Sequence, residues 1–129
     1  MKTTVLLIAH GSREMAANQD LEHVAARLGD RSWCDLAVAS FLELATPNIL
    51  EGGQTCVAAG AQRVVMLPYF LSAGTHVRRD LTEAKDRLSE QYPHVQFVLA
   101  EPLGRHPLLI DVVVDRIQAS LEDLSGDRK

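Results

Sequence analysis

The chain has 129 residues, 47% of them hydrophobic and 23% charged, with a formal net charge of −4. That is the size and make-up of one compact domain, able to bury roughly two-thirds of its unfolded surface. The negative balance offers no broad positive field, which excludes a general nucleic-acid binder. No stretch approaches the roughly 20 apolar residues of a membrane span. The apolar run near the N-terminus is too short for a signal peptide and lacks a small-residue cleavage site. Cys34 and Cys56 have neither a CxxC pattern nor a histidine at metal-ligand spacing. They read as reduced core thiols of a cytoplasmic protein.

Taken in order, the elements alternate. Thr3–Ala9 is apolar and β-branched, the pattern of a buried strand. Ser12 is placed to cap a helix that runs to Leu28, with Ala17, Leu21, Val24, Ala25 and Leu28 on one face. Cys34–Leu42 follows as the second strand. Thr46–Pro47 opens a second helix with proline at its favoured first position, and that helix ends near Gly60. Arg63–Leu67 is the third strand, and Pro68–Thr75 its exit loop. The third helix turns Val77, Leu81, Ala84 and Leu88 inward until Pro93 breaks it. Val95–Ala100 is the fourth strand. The loop EPLGRHP leads to a last helix from Pro107 to about Leu124.

Four strands alternating with four helices predict an α/β fold, with a parallel sheet and helices on both faces. The economical topology is the flavodoxin-like order 2-1-3-4. Residues 1–124 form one domain, and 125–129 read as a frayed tail. The last helix is odd, because LLIDVVVDRI is apolar around most of its circumference. Such a helix is buried on two sides. One side is expected on the sheet and the other on a partner subunit.

In open α/β sheets, ligands sit beyond the carboxyl ends of the strands, at the point where strand order reverses. Here that point lies between strands 1 and 3. His10 ends the first strand, and His76 ends the loop after the third. Glu43 ends the second strand, beside the first. The three residues fall 33 apart in each step, which predicts the same stage of successive β-α units. Two imidazoles and a carboxylate suit a divalent ion such as Co²⁺, Ni²⁺, Fe²⁺ or Zn²⁺. They also suit proton transfer near neutral pH. A single histidine at a strand end is more often structural, whereas this set on one edge is the pattern of a site. Ser12 and Arg13, after Gly11, form a corner like an anion-binding helix start. The further glycines of a nucleotide fingerprint are missing. Arg78 and Arg79 stand in the first turn of the third helix, where the dipole disfavours cations. Such a placement suits anion binding. Tyr69, Phe70 and Leu71 are either core or a surface for a flat ligand. His106 lies on the functional edge, while His23 and His94 read as solvated.

These stretches resemble a known family. LLIAHGSR, FLELATPNI and VVMLPYFLSAGTHVRRDL look like the class II chelatases, and most like the short sirohydrochlorin cobaltochelatases of the CbiX type. The likeness continues in EPLGRHPLL and covers most of the chain. It implies that His10 and His76 are the active-site histidines and Glu43 the acidic partner. The implied reaction is ATP-independent insertion of a divalent metal into a tetrapyrrole. Under it the ion, Co²⁺ or else Fe²⁺ or Ni²⁺, is a substrate, and no tightly bound cofactor is expected. Longer members carry two such halves facing a cleft, so the resemblance implies a homodimer. The histidine-rich tract of some relatives is absent. Arg13, Arg78 and Arg79, with helix N-terminal amides, would hold the carboxylates of sirohydrochlorin. A non-catalytic carrier of metal or tetrapyrrole is the competing reading, and a flavodoxin-like phosphate binder a more remote one.

Overall fold

The computed structural model describes residues 1–126. The elements are β1 (Thr3–Ala9), α1 (Met15–Leu28), β2 (Leu36–Phe41), α2 (Ile49–Ala58), β3 (Arg63–Pro68), α3 (Thr75–Gln91), β4 (Gln96–Leu99) and α4 (Pro107–Ser125). All strands run parallel in the order β2-β1-β3-β4, as the alternating pattern predicts.

β1 is the centre of the sheet. Val5, Leu6, Leu7 and Ile8 are all buried, because helices cover both faces there. Leu6 and Ile8 meet Met66 and Phe97 from the sheet, Cys56 from α2, and Leu81 and Leu88 from α3. Val5 and Leu7 join Ala39 and Phe41 of β2 beneath Leu21 and Ala25 of α1.

β3 behaves differently. Val64, Met66 and Pro68 are buried, while Val65 and Leu67 are only half-buried. The register sets Val65 and Leu67 level with Val5 and Leu7, and Val98 level with Val65. These three therefore face the α1 side. α1 packs on β2 and β1, so the β3–β4 half of that face carries no helix packed across it.

Several local expectations shift. α1 begins at Met15 with Glu14 as its uncapped N-cap, not at Ser12. The Ser12 hydroxyl accepts from the Glu14 N–H in a tight turn instead. Ala17 is exposed, since the buried stripe starts one turn later. β2 covers Leu36–Phe41 only, because Cys34 N–H still closes a turn to Arg31 O at 3.1 Å. Pro47 is not the first residue of α2. Asn48 caps that helix, with its side chain on Glu51 N–H and the Glu51 carboxylate on its own N–H. This reciprocal box is the stronger start signal. β4 is one residue shorter than expected at each end. Ser125 closes α4, with Gly126 left-handed at its C-cap. The rest of the expected tail lies outside the described residues.

The largest correction concerns α4. Its apolar pattern predicts one side on the sheet, yet none of its residues is buried, and among the described residues it meets no other element beyond a fringe contact. The loop before it passes through Arg105, whose φ of 67° is left-handed, and the helix runs clear of the strands.

Candidate functional site

His10 and Glu43 are brought together by the backbone. Leu42 N–H donates to Ala9 O at 2.9 Å, and Glu43 N–H to His10 O at 3.0 Å. The β1–β2 ladder thus continues past both strand ends. Gly11 makes this possible. Its φ is 95°, and a Cβ there would stand 1.7 Å from Glu43 O, so only glycine fits. Asn18 of α1 locks the same loop. Its carbonyl oxygen accepts from Ser12 N–H at 3.0 Å, and its amide donates to Ser12 O at 2.7 Å. Sequence reasoning missed Asn18, because an asparagine in a first helical turn has no motif of its own.

The loop after β3 supplies the neighbouring wall. Tyr69 N–H donates to Ile8 O at 2.7 Å, which ties this loop to the end of β1. Phe70 then lies against His10, with ring centroids 4.5 Å apart and planes at 31°. It also packs on the core below. Phe70 is therefore a backing for the His10 imidazole, which limits its tumbling. Tyr69 is 37% exposed and Leu71 65%, so they remain the apolar surface offered to a ligand. Leu103 N–H donates to Phe70 O at 3.0 Å. A Cβ on Gly104 would stand 1.9 Å from Leu71 O. The β4–α4 loop is thus pressed onto the β3–α3 loop.

His76 is the second residue of α3 and is exposed. The equal spacing of 33 is therefore not equal structural stage. His10 follows its strand directly, Glu43 stands two residues past β2, and His76 lies in a helix eight residues past β3. All three remain on the carboxyl edge of the sheet. Among the described residues, no group of three or more His, Cys, Asp or Glu is placed to hold a metal ion. A ready-made three-ligand centre at His10, Glu43 and His76 is thus not formed within the single chain.

The arginines separate. Arg78 Nε donates to Ala73 O at 3.1 Å, and its guanidinium stands 3.9 Å from the Glu101 carboxylate. It braces the loop that delivers His76. Arg13 and Ser12 line a groove of about 370 Å³ with Asn18, Phe41 and Leu44. Leu44 itself is left-handed, with φ of 65°, an uncommon state for a leucine and one that clusters at functional loops. Arg79 makes no contact that bears on the site. His106 caps α4, its Nδ1 accepting from Leu108 N–H at 3.2 Å, which accounts for it structurally.

Both cysteines are free and buried. Burial pushes both thiols above the usual cysteine value. Neither is a candidate nucleophile or metal ligand.

Residues 4–120 match the CbiX family model. The chain belongs to the CbiX family. Among curated relatives, a sirohydrochlorin cobaltochelatase of Priestia megaterium is 38% identical over 94% of this chain and 39% of its own length. The chloroplastic sirohydrochlorin ferrochelatase of Arabidopsis thaliana is 33% identical, over 95% of this chain and 55% of its own length. This CbiX chain thus spans about two-fifths to just over half of those relatives. A sirohydrochlorin cobaltochelatase of Methanopyrus kandleri is 28% identical and is covered over 96% of its length. In structure, a CbiX protein from Marinobacter aquaeolei superposes with a TM-score of 0.80 at 28% identity, covering 94% of this chain and 98% of that one. The sirohydrochlorin chelatase SirB from Bacillus subtilis subspecies spizizenii, in complex with cobalt, gives 0.83 at 28% identity. That match covers 92% of this chain and 51% of SirB.

Proposed function

We propose that this CbiX chain is a sirohydrochlorin chelatase that inserts Co²⁺ into the tetrapyrrole without ATP. The reading is carried by the CbiX match over residues 4–120 together with His10, Glu43 and His76 on one sheet edge. Cobaltochelatase names among relatives of both lengths favour cobalt, while the related SirB structures hold cobalt in one case and Fe³⁺ in another. Ferrochelatase relatives of similar identity favour Fe²⁺ as the second reading.

The chemistry asks for two things. The ion must shed water, and two protons must leave the pyrrole nitrogens for each ion inserted. His10, held against Phe70, accepts a proton on its imidazole. His76, exposed at the start of α3, offers a second nitrogen to the ion or to the other proton. Positioned bases of this kind contribute typically about 10²–10⁴-fold. Glu43 either shares the ion or orients an imidazole, as carboxylates beside metal sites do. Tyr69 and Leu71 meet the flat macrocycle, and Arg13, Arg78 and Arg79 its carboxylates. A second copy of the chain would close the cleft that one half leaves open. Two buried free thiols fit a reducing compartment such as the cytoplasm.

The test is anaerobic insertion followed by absorbance, with sirohydrochlorin and Co²⁺, Fe²⁺ or Ni²⁺ in parallel. Turnover above the uncatalysed rate, fastest with Co²⁺ and lost in a His10→Ala/His76→Ala double variant, is expected. Saturable binding with no turnover would establish a carrier instead.

A further inference from the structure

We infer that the cleft between the β3–α3 and β4–α4 loops is a subsite for one carboxylate arm of the macrocycle, in which Arg105 selects the arm and Glu101 is the carboxylate that the arm displaces. The inference rests on the chelatase reading above and adds a selecting residue to it. The cleft holds about 510 Å³. Leu71, Ser72 and Arg78 line it from the β3–α3 side, and Glu101, Gly104 and Arg105 from the β4–α4 side. It thus carries two guanidiniums against one carboxylate, a local excess of positive charge in a chain of net charge −4.

The charged groups are set as an anion site needs them. Arg78 Nε is committed to Ala73 O at 3.1 Å, which fixes the plane of its fork. Glu101 stands 3.9 Å from a terminal nitrogen of that fork, beyond hydrogen-bond range, and both side chains are largely exposed. Such a pair is weak, and a carboxylate that reaches both terminal nitrogens replaces it readily. Arg105 enters no ion pair among the described residues. Its φ of 67° is left-handed, a state that glycine holds without strain and arginine does not. Nothing in its own chain offsets that strain through the guanidinium, whereas an anionic ligand does.

The cleft is formed before any ligand arrives. Leu103 N–H donates to Phe70 O at 3.0 Å, and Gly104 is pressed on Leu71 O. A preformed site loses little freedom on binding. Its distance from the chemistry also fits. β4 lies two strands from β1, about 10 Å away. The cleft is therefore too far to ligate an ion at His10 and is suited to the rim of a ring. Leu71 belongs to both places. It is 65% exposed, offers an apolar face to the macrocycle and lines the cleft, so a ring resting on it carries a peripheral arm to the cleft mouth.

The test is anaerobic titration of metal-free sirohydrochlorin into the full chain, followed by absorbance, so that binding is read apart from insertion. Arg105→Gly should raise Kd at least about threefold. Its thermal midpoint should stay at or above wild type, because glycine relieves the left-handed φ. Arg105→Lys should recover part of the affinity, since it restores the charge without the fork. Glu101→Gln should move the other way and lower Kd about twofold or more, because the arm no longer displaces a carboxylate. Added salt should weaken wild type more than Arg105→Gly. An unchanged Kd in Arg105→Gly, or a Kd in Glu101→Gln no lower than wild type, overturns the subsite and leaves the chelatase reading standing. Sirohydrochlorin that fails to bind wild type overturns both.

Discussion

His10 owes its place to main-chain hydrogen bonds and to one glycine, with Phe70 as its only ring contact among the described residues. This separates two kinds of substitution. His10→Ala and His76→Ala remove exposed imidazoles that hold up no core. Each should lower the insertion rate at least about tenfold while the thermal midpoint stays close to wild type. Wild-type rates in both variants would remove these residues from the site. Gly11→Ala should do the reverse. Its Cβ collides with Glu43 O and its φ of 95° is closed to alanine. A loss of more than about 1 kcal/mol is expected in urea denaturation, together with loss of insertion. A variant as stable as wild type would show that the Glu43 loop yields freely. At this scale His10, Glu43 and His76 could be picked out from residue type and strand order. Asn18 and the bracing role of Arg78 could not, since both depend on which loop happens to lie within hydrogen-bonding reach.

The elements differ in how firmly they are held. Leu88 of α3 is fully buried and packs against α2. Leu88→Ala should cost about 2–5 kcal/mol in any assembly state, as large-to-small core changes do. Ile117→Ala on α4 should cost less than about 0.5 kcal/mol at concentrations where the chain is monomeric. It should cost clearly more where copies associate. Denaturation at two protein concentrations reads both. An Ile117→Ala penalty independent of concentration would show that α4 packs on its own chain. Cys56 of α2 is held in the core with its thiol raised by burial. The unfolded chain ionises this thiol at about pH 8.5, and the folded chain only above that. Between those values the unfolded state binds fewer protons, so stability is whole below about pH 8.5 and falls as pH rises beyond it. Urea midpoints from pH 7 to 10 should show this slope and show it reduced in Cys56→Ala. An unchanged slope would assign it to other groups. Helix and strand identities were legible from periodicity. Their ends were not, because the capping box at Asn48 and Glu51 outcompeted the proline signal beside it.

For the molecule as a whole, the sheet order followed from alternation and right-handed crossovers, and the observed order β2-β1-β3-β4 agrees. The position of α4 did not follow. Its apolar circumference predicts two buried sides, one of them on its own sheet, yet none of its residues is buried in the chain. In the structure the sheet face beside α1 stays open over β3 and β4 instead. Among the described residues, no helix is long and apolar enough to cross a membrane, so this exposed stripe is not read as a span.

What the sequence determined by itself was the set of elements, their parallel order and the edge on which the candidate residues stand. Those depend on local periodicity and on chirality, which act over short stretches of chain. Tertiary structure alone decided the Phe70 backing of His10, the Asn18 clamp, the lack among the described residues of a ready-made metal centre, and an α4 without a buried residue. Each depends on close approach between residues far apart in sequence, where a difference of an ångström sets whether a contact exists.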